Sequence, residues 1–421
     1  MLKEYSVSNY RSINKEITFS MEADVERVSE YKDHIIEKGN VPLLKVGSVY
    51  GPNGGGKSNL IFALNLAKIV TFFNGVQSQL MPQRVSCEFN NDDIIKETLF
   101  FLTDNYEIGY SFEVKQKIIE KEVPIPGNIL YNYSDTYEFE NECVSYRKLD
   151  DDDFKMLFER NKEGKVESGI LENYHIIIQD LASSNSALSY LFNTYTAGKK
   201  YDNNLAVINE LCAEINNIYN LNPPKQVNLK TAFEIIRKHR EKLIKLLNDV
   251  DIKINDIILN VSDKIDRIKF ERVVMIDGKE DKRALPFSVE STGTQKIFWM
   301  LVNALNVFDK GAIFYCDDMN AYLHPKLYKA IIELFTSKEN KKNQLIFNSH
   351  DILNMNNKLF RRDEIWFAYR DDTYSTCLVP LSNIVNYKGE QVRKDATYYK
   401  QYLEGKYGAD PFIKKGLSWD D

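Results

Sequence analysis

The residues Gly51-Pro52-Asn53-Gly54-Gly55-Gly56-Lys57-Ser58 fit G-x-x-x-x-G-K-[ST], and each position answers to one part of a nucleoside triphosphate. Glycines let successive backbone N–H groups turn inward around the β-phosphate. The Lys57 ammonium reaches the β and γ oxygens, and the Ser58 hydroxyl takes a place on Mg²⁺. Asn53, Gly54, Gly55 and Gly56 form the loop, and Asn59 stands just beyond it. The flanks agree with this chemistry. Residues 46–50 read as a short buried strand, and residues 59–68 as a helix whose N-terminus faces the anion.

Four more elements follow in order. Glu290-Ser291-Thr292-Gly293-Thr294-Gln295-Lys296 opens an apolar helix over 297–302, so its small-hydroxyl and glycine turn is either a phosphate cradle or a plain helix cap. Residues 312–318 read as a buried strand ending in Asp317 and Asp318. An aspartate at the mouth of a parallel strand can hold Mg²⁺ through water, and a following acid can orient an attacking water. Residues 320–325 are a turn, and 345–350 form another apolar strand that ends in His350, placed to contact a γ-phosphate.

These groups need a scaffold that brings strand ends together. Residues 4–13 and 16–20 read as two strands ahead of the loop, and 97–147 alternates Phe, Tyr, Ile and Val with polar residues, as antiparallel strands do. The run Asp150-Asp151-Asp152-Asp153 is a charged turn. From about 170 to 256 the texture is helical, with Phe233, Ile236, Leu243, Leu247 and Val250 in one stripe and Arg240 in its gap. That stripe suits a core helix or a helical hairpin and is too short for a coiled-coil arm. A strand is expected over 265–276, followed by alternating helix and strand. The expected fold class is α/β, an ATPase head with an antiparallel β lobe and an inserted helical subdomain. Its divisions are 1–160, 161–260 and 261–421.

The bulk numbers are those of a soluble globular chain: 421 residues, 43% hydrophobic and 28% charged. A net charge of -6 and a pI near 5.7 give no global positive field for nucleic acid, although a local basic groove stays open. Cys87, Cys143, Cys212, Cys316 and Cys377 are scattered without a C-x-x-C pair, which suits a reducing cytoplasm and neither a disulfide framework nor a zinc site. The N-terminus lacks an apolar signal core, and no run of 18 apolar residues occurs, so no membrane partner is expected.

Together these motifs resemble the ABC-type ATPase heads of the SMC and RecF kind, over roughly 1–130 and 260–370. The resemblance implies ATP and Mg²⁺ as cofactors, and homo-oligomers in which two ATP molecules are sandwiched between heads. It implies Lys57 and Ser58 as Walker A, Ser291 and Gly293 as the signature acting on the partner's nucleotide, and Asp317 as Walker B. Asp318 takes the catalytic carboxylate position and His350 that of the switch histidine. Asn9-Tyr10-Arg11-Ser12 matches the element whose arginine approaches a phosphate, which makes Arg11 a candidate ligand. One departure is that the family usually has glutamate where Asp318 stands, a longer reach toward water.

Segments 361–368 and 402–411 resemble small bacterial ATPases of the RloA and AbiL type, which are encoded beside nuclease-like proteins in phage-defence cassettes. The OLD-type relatives carry their nuclease in the same chain, and the stretch after His350 is too short for one. The leading expectation is therefore a cytoplasmic ATPase that regulates a separate nuclease-like effector in antiviral defence. The alternatives are a DNA-repair or chromosome-maintenance ATPase that clamps nucleic acid, and a stand-alone toxin-like enzyme.

Overall fold

The computed structural model describes residues 1–25, 31–74, 76–78, 83–125, 128–167, 171, 174–196, 203–223, 229–260, 268–385, 391–393 and 396–408. The two expected first strands form as β1 (Leu2–Ser8), which ends short of residue 13, and β2 (Ile17–Ser20); they pair antiparallel, and β3 (Ile35–Lys38) with β4 (Val41–Leu44) form a ribbon. Next come β5 (Val46–Tyr50), the glycine-rich loop, α1 (Lys57–Ala63) and α2 (Leu66–Phe72). The antiparallel lobe follows as β6 (Val76–Ser78), β7 (Ile94–Leu102), β8 (Tyr106–Ile125), β9 (Asn128–Lys148), β10 (Lys155–Asn161) and β11 (Val166–Glu167). These strands run in the order β11-β10-β9-β8-β7-β1-β2, with β6 on the flank of β9.

The helical stretch holds α3 (His175–Gln179), α4 (Ala187–Thr196), α5 (Asn203–Asn216), a short β12 (Ile218–Asn220), α6 (Leu229–Lys238) and α7 (Arg240–Asp249). Then come β13 (Asp256–Leu259), β14 (Ile268–Ile276) and β15 (Lys279–Pro286), a three-stranded sheet. The remainder alternates: α8 (Thr292–Val307), β16 (Ile313–Cys316), α9 (Pro325–Thr336), β17 (Gln344–Asn348), β18 (Ile365–Arg370), β19 (Thr376–Pro380) and α10 (Tyr398–Leu403). Residues 265–267 of one expected strand, and 409–411 of the tail segment, lie outside the described residues.

The sheet that matters for function runs β12-β16-β17-β5-β18-β19, parallel up to β18, with β19 antiparallel at the edge. Strand alternation sends its side chains into two cores. Val49, Ile313, Tyr315, Ile346, Trp366 and Ala368 join the core beneath the antiparallel lobe, α1, α2, α4 and α5. Val46, Tyr50, Phe314, Cys316, Leu345, Phe347, Ile365 and Phe367 join the other, with α6, α7, α8 and α9. A sheet covered on both faces reads as continuous apolar runs, which is why β5, β16 and β17 are buried at every position.

Three local outcomes refine the sequence pattern. The helix expected over 59–68 breaks after Ala63, where Asn65 N–H reaches back to Phe62 O at 3.1 Å. Leu60, Ile61, Ala63, Leu64, Leu66, Ala67 and Val70 are all buried, and one straight helix cannot turn so wide an arc to one core. The stripe from Phe233 to Val250 is not one continuous core helix but takes the other expected form, two helices that meet at His239, and Arg240 leaves the apolar face to bind Asp256. Third, β12 lies inside the helical stretch and pairs with β16, so the stretch divides between the cores: α5 in the first, α6 and α7 in the second.

The tail segment closes onto this head. Tyr402 stacks on Phe367 at 5.6 Å and Tyr407 lies 5.1 Å from the same ring, so these aromatics belong to the second core. Among the described residues no helix is long and apolar enough to cross a membrane.

Candidate functional site

Adjacent parallel strands end side by side, so the loops that follow them converge. The glycine-rich loop follows β5, Asp317 and Asp318 follow β16, and Ser349 and His350 follow β17. The loop is shaped from behind by β18 and β19. Gly51 has φ 141° and Gly56 φ 98°, both in the region that favours glycine. A Cβ on Gly51 would lie 2.0 Å from Ala368 O, and one on Gly56 would lie 2.0 Å from Thr376 Oγ1. Two glycines of the motif are therefore demanded by the neighbouring hairpin as well as by any phosphate.

Lys57 is buried, and its Nζ donates to Gly51 O and Pro52 O, both at 2.9 Å. Burial holds its ammonium below the ordinary lysine range, while Asp318 and then Asp317 pull it back up. The lysine and both aspartates thus share one electrostatic neighbourhood. His350 Nε2 lies 3.9 Å from Asp318 Oδ1. Burial first, and then the Lys57 charge, push the imidazole below its ordinary value against the pull of Asp318 and Asp317, which favours its neutral form.

The acidic turn is held by a residue to which the sequence pattern assigns no role. Asn348, the last residue of β17, is fully buried. Its Nδ2 donates to Asp317 Oδ1 at 2.5 Å, and its Oδ1 accepts from Asp318 N–H at 2.6 Å. Asn320 works from the other side, its Oδ1 accepting from Ser349 Oγ and His350 N–H at 3.0 Å each. Asp318 itself has φ 46°, a left-handed conformation that aspartate tolerates better than most residues.

Arg11 comes to the loop's flank. Its Nη1 donates to Asn59 Oδ1 at 3.4 Å, its guanidinium lies 5.4 Å from the Tyr10 and Phe62 rings, and Asn59 Nδ2 donates to Ser12 Oγ at 2.7 Å. Arg370, which motif reading misses, donates from Nε to Gly54 O and lies 5.8 Å over the Phe89 ring. Its only sequence signal is a cation at the end of an apolar strand.

The Ser291 turn opens α8. Ser291 caps α8, its Oγ accepting from Thr294 N–H at 3.1 Å, and the hydrogen bonds of its side chain among the described residues run to Thr294 alone. Gly293 presses on the turn after Asp318: a Cβ there would lie 2.6 Å from Tyr322 O. The structure therefore gathers Lys57, Asp317, Asp318 and His350, flanks them with Arg11 and Asn59, and leaves Ser291 on the opposite helix, with no bond to the loop among the described residues.

The donor set suits Mg²⁺. Ser58 offers a hydroxyl and Asp317 a carboxylate, hard oxygens of the kind this ion takes in small number alongside water and phosphate. Among the described residues no cluster of three or more histidines, cysteines or carboxylates forms an all-protein metal cage.

A family model described as "AAA domain, putative AbiEii toxin, Type IV TA system" matches residues 48–356. No curated protein matches the sequence. Two solved structures are similar at low identity. The SMC head domain from Thermotoga maritima is 13% identical with a TM-score of 0.40, over 90% of this chain and 98% of that one. An SmcHead bound to the C-winged helix domain of ScpA is 12% identical with a TM-score of 0.37, over 91% and 98%.

Proposed function

The chain belongs to this AAA-domain family, and from that premise we propose that it binds and hydrolyses ATP at sites shared between two copies of itself. We further infer that it is a cytoplasmic sensor subunit of an antiviral system that controls a separate nuclease-like effector. The observation that carries the ATPase reading is the convergence of Lys57 with Asp317 and Asp318, and of His350 at 3.9 Å from Asp318. On this reading Lys57 exchanges its bonds to Gly51 O and Pro52 O for the β and γ oxygens. Arg11 and Asn59 bear on the phosphates from the flank. Mg²⁺, held by Ser58 and Asp317, would neutralise charge on the β and γ oxygens. Asp318 orients the attacking water, and the neutral His350 imidazole contacts the γ-phosphate. Ser291 and Gly293 serve the nucleotide of the other copy, consistent with their lack of bonds to their own loop.

Mixing separately inactive chains tests the shared site. Lys57→Ala and Ser291→Arg chains should each be inactive alone, and a mixture should regain part of the ATPase activity through composite sites. Mixtures as inactive as either parent would remove the shared-site reading.

The defence role rests on the resemblance of segments 361–368 and 402–411 to ATPases with nuclease-like neighbours. A second reading, a stand-alone toxin, is favoured by the family description, which names a toxin. Expressing the chain alone and with its genomic neighbour, under phage challenge, separates them. Protection that needs both proteins supports the two-protein system, and growth arrest by this chain alone supports the toxin.

A further inference from the structure

Lys296 sits in the second turn of α8 and is almost wholly buried. Its ammonium has three donors, and three backbone carbonyls receive them: Asp318 O at 2.9 Å, Met319 O at 3.2 Å and Ala321 O at 3.0 Å. Those carbonyls belong to the turn that follows β16 and carries the candidate catalytic acid. The turn is irregular, with Asp318 at φ 46° and Tyr322 at φ 63°, and this lets carbonyls that would otherwise diverge face one cation.

The same turn meets α8 at a second point, where Gly293 allows the helix backbone to approach Tyr322 O. Beyond the turn, Asn320 grips Ser349 and the His350 N–H, and Asn348 grips Asp317 and Asp318. The helix that presents Ser291 and the turn that presents Asp318 are therefore joined by a buried cation and a backbone contact, and cannot shift independently without leaving a buried ammonium unsatisfied.

We propose that Lys296 is a positioning residue that couples the two nucleotide sites of a dimer: engagement of Ser291 and Gly293 on one nucleotide is transmitted through α8 to Asp318 at the other. The inference rests on the shared-site reading above. It goes beyond that reading by naming the residue through which one site reports to the other. A coupling of this kind requires one element with two arrangements that both ligands bias, and the α8–turn unit is that element.

The test compares wild type with Lys296→Met, which keeps the side-chain length without donors, and Lys296→Arg, which restores donors and charge. Binding of a labelled non-hydrolysable ATP analogue should be close to wild type in Lys296→Met, because the hydrogen bonds of the lysine among the described residues run to the turn after β16 and not to the glycine-rich loop. Its kcat should fall by about 10- to 100-fold from misplacement of Asp318, and its Hill coefficient for ATP should fall to about one. Lys296→Arg should recover part of both. Wild-type kcat and cooperativity in Lys296→Met would overturn the proposal, and so would a lowered kcat with unchanged cooperativity. If Lys296→Met does not fold, Lys296→Gln, with a shorter and uncharged donor, is read by the same criteria. A wild-type rate that is first order in protein and non-cooperative in ATP would instead bring down the shared-site reading itself.

Discussion

Asn348 offers the sharpest test of how the acidic turn is held. It is fully buried, and the two ends of its amide make opposite bonds, Nδ2 donating to Asp317 Oδ1 at 2.5 Å and Oδ1 accepting from the Asp318 N–H at 2.6 Å. Asn348→Ala removes both bonds, while the backbone bond from Met319 N–H to Asn348 O at 3.1 Å remains. Each unsatisfied group costs about 1–3 kcal/mol, and because Asp318 is exposed and Asp317 half-buried, water recovers part of that. A loss of roughly 2–4 kcal/mol in urea denaturation is expected. ATP hydrolysis should fall further, by about 10- to 100-fold, since both acids lose their register with Lys57. Asn348→Asp keeps the shape but sets a carboxylate against Asp317. At 2.5 Å two such charges repel by about 7 kcal/mol at an effective dielectric of ~20, so the new side chain takes up a proton. Its activity should therefore recover as pH falls from the alkaline range, where the introduced acid is ionised, toward neutral pH, where it holds its proton, and Asn348→Ala should show no such recovery. Phosphate release measured across pH with both variants decides. Wild-type kcat in Asn348→Ala, or parallel pH profiles for the two variants, would refute the clamp.

Two other perturbations follow, one from the role proposed for Asp318 and one from a buried carboxyl. Asp318→Asn should leave ATP bound but unhydrolysed and so accumulate a nucleotide-bound dimer, seen by light scattering with ATP; undiminished phosphate release would remove Asp318 from its catalytic role. Glu97 lies in the first core with neither carboxyl oxygen bonded among the described residues, and burial raises its pKa well above the ordinary 4.5. A raised folded value means stability is fully present below 4.5 and is lost as pH rises toward the folded value. Glu97→Gln does not titrate, so its advantage over wild type should grow by about 1.4 kcal/mol per pH unit across that window. Denaturation curves at several pH values with a constant difference would contradict this.

Much of the site is legible in the chain because its chemistry is local. The glycine-rich loop, β5, and the strands ending at Asp317 and before His350 are short contiguous patterns, and residue type together with apolar runs identifies them. The continuous apolar runs along β16 and β17 likewise imply a sheet covered on both faces. Local patterns do not say which strand ends are neighbours. The β12-β16-β17-β5-β18-β19 order alone places Asn348 against Asp317, Arg370 against Gly54 and Thr376 against Gly56.

The break at Asn65 had no signal in helix period, and the one at His239 showed only as the gap at Arg240, because each follows from the direction in which the next apolar set must face its core. The strand β12 is three residues long and gains its identity only by pairing with β16. Lys296 reads as an ordinary polar residue of a helix until the turn 318–321 is folded over it. Sequence by itself marked the residues whose groups suit phosphate, metal and water, since that depends on functional groups and short spacing. Tertiary structure decided how those groups are aimed. The bonds that aim them join residues tens to hundreds of positions apart, and they exist only once the cores have closed and left buried donors and acceptors to be satisfied.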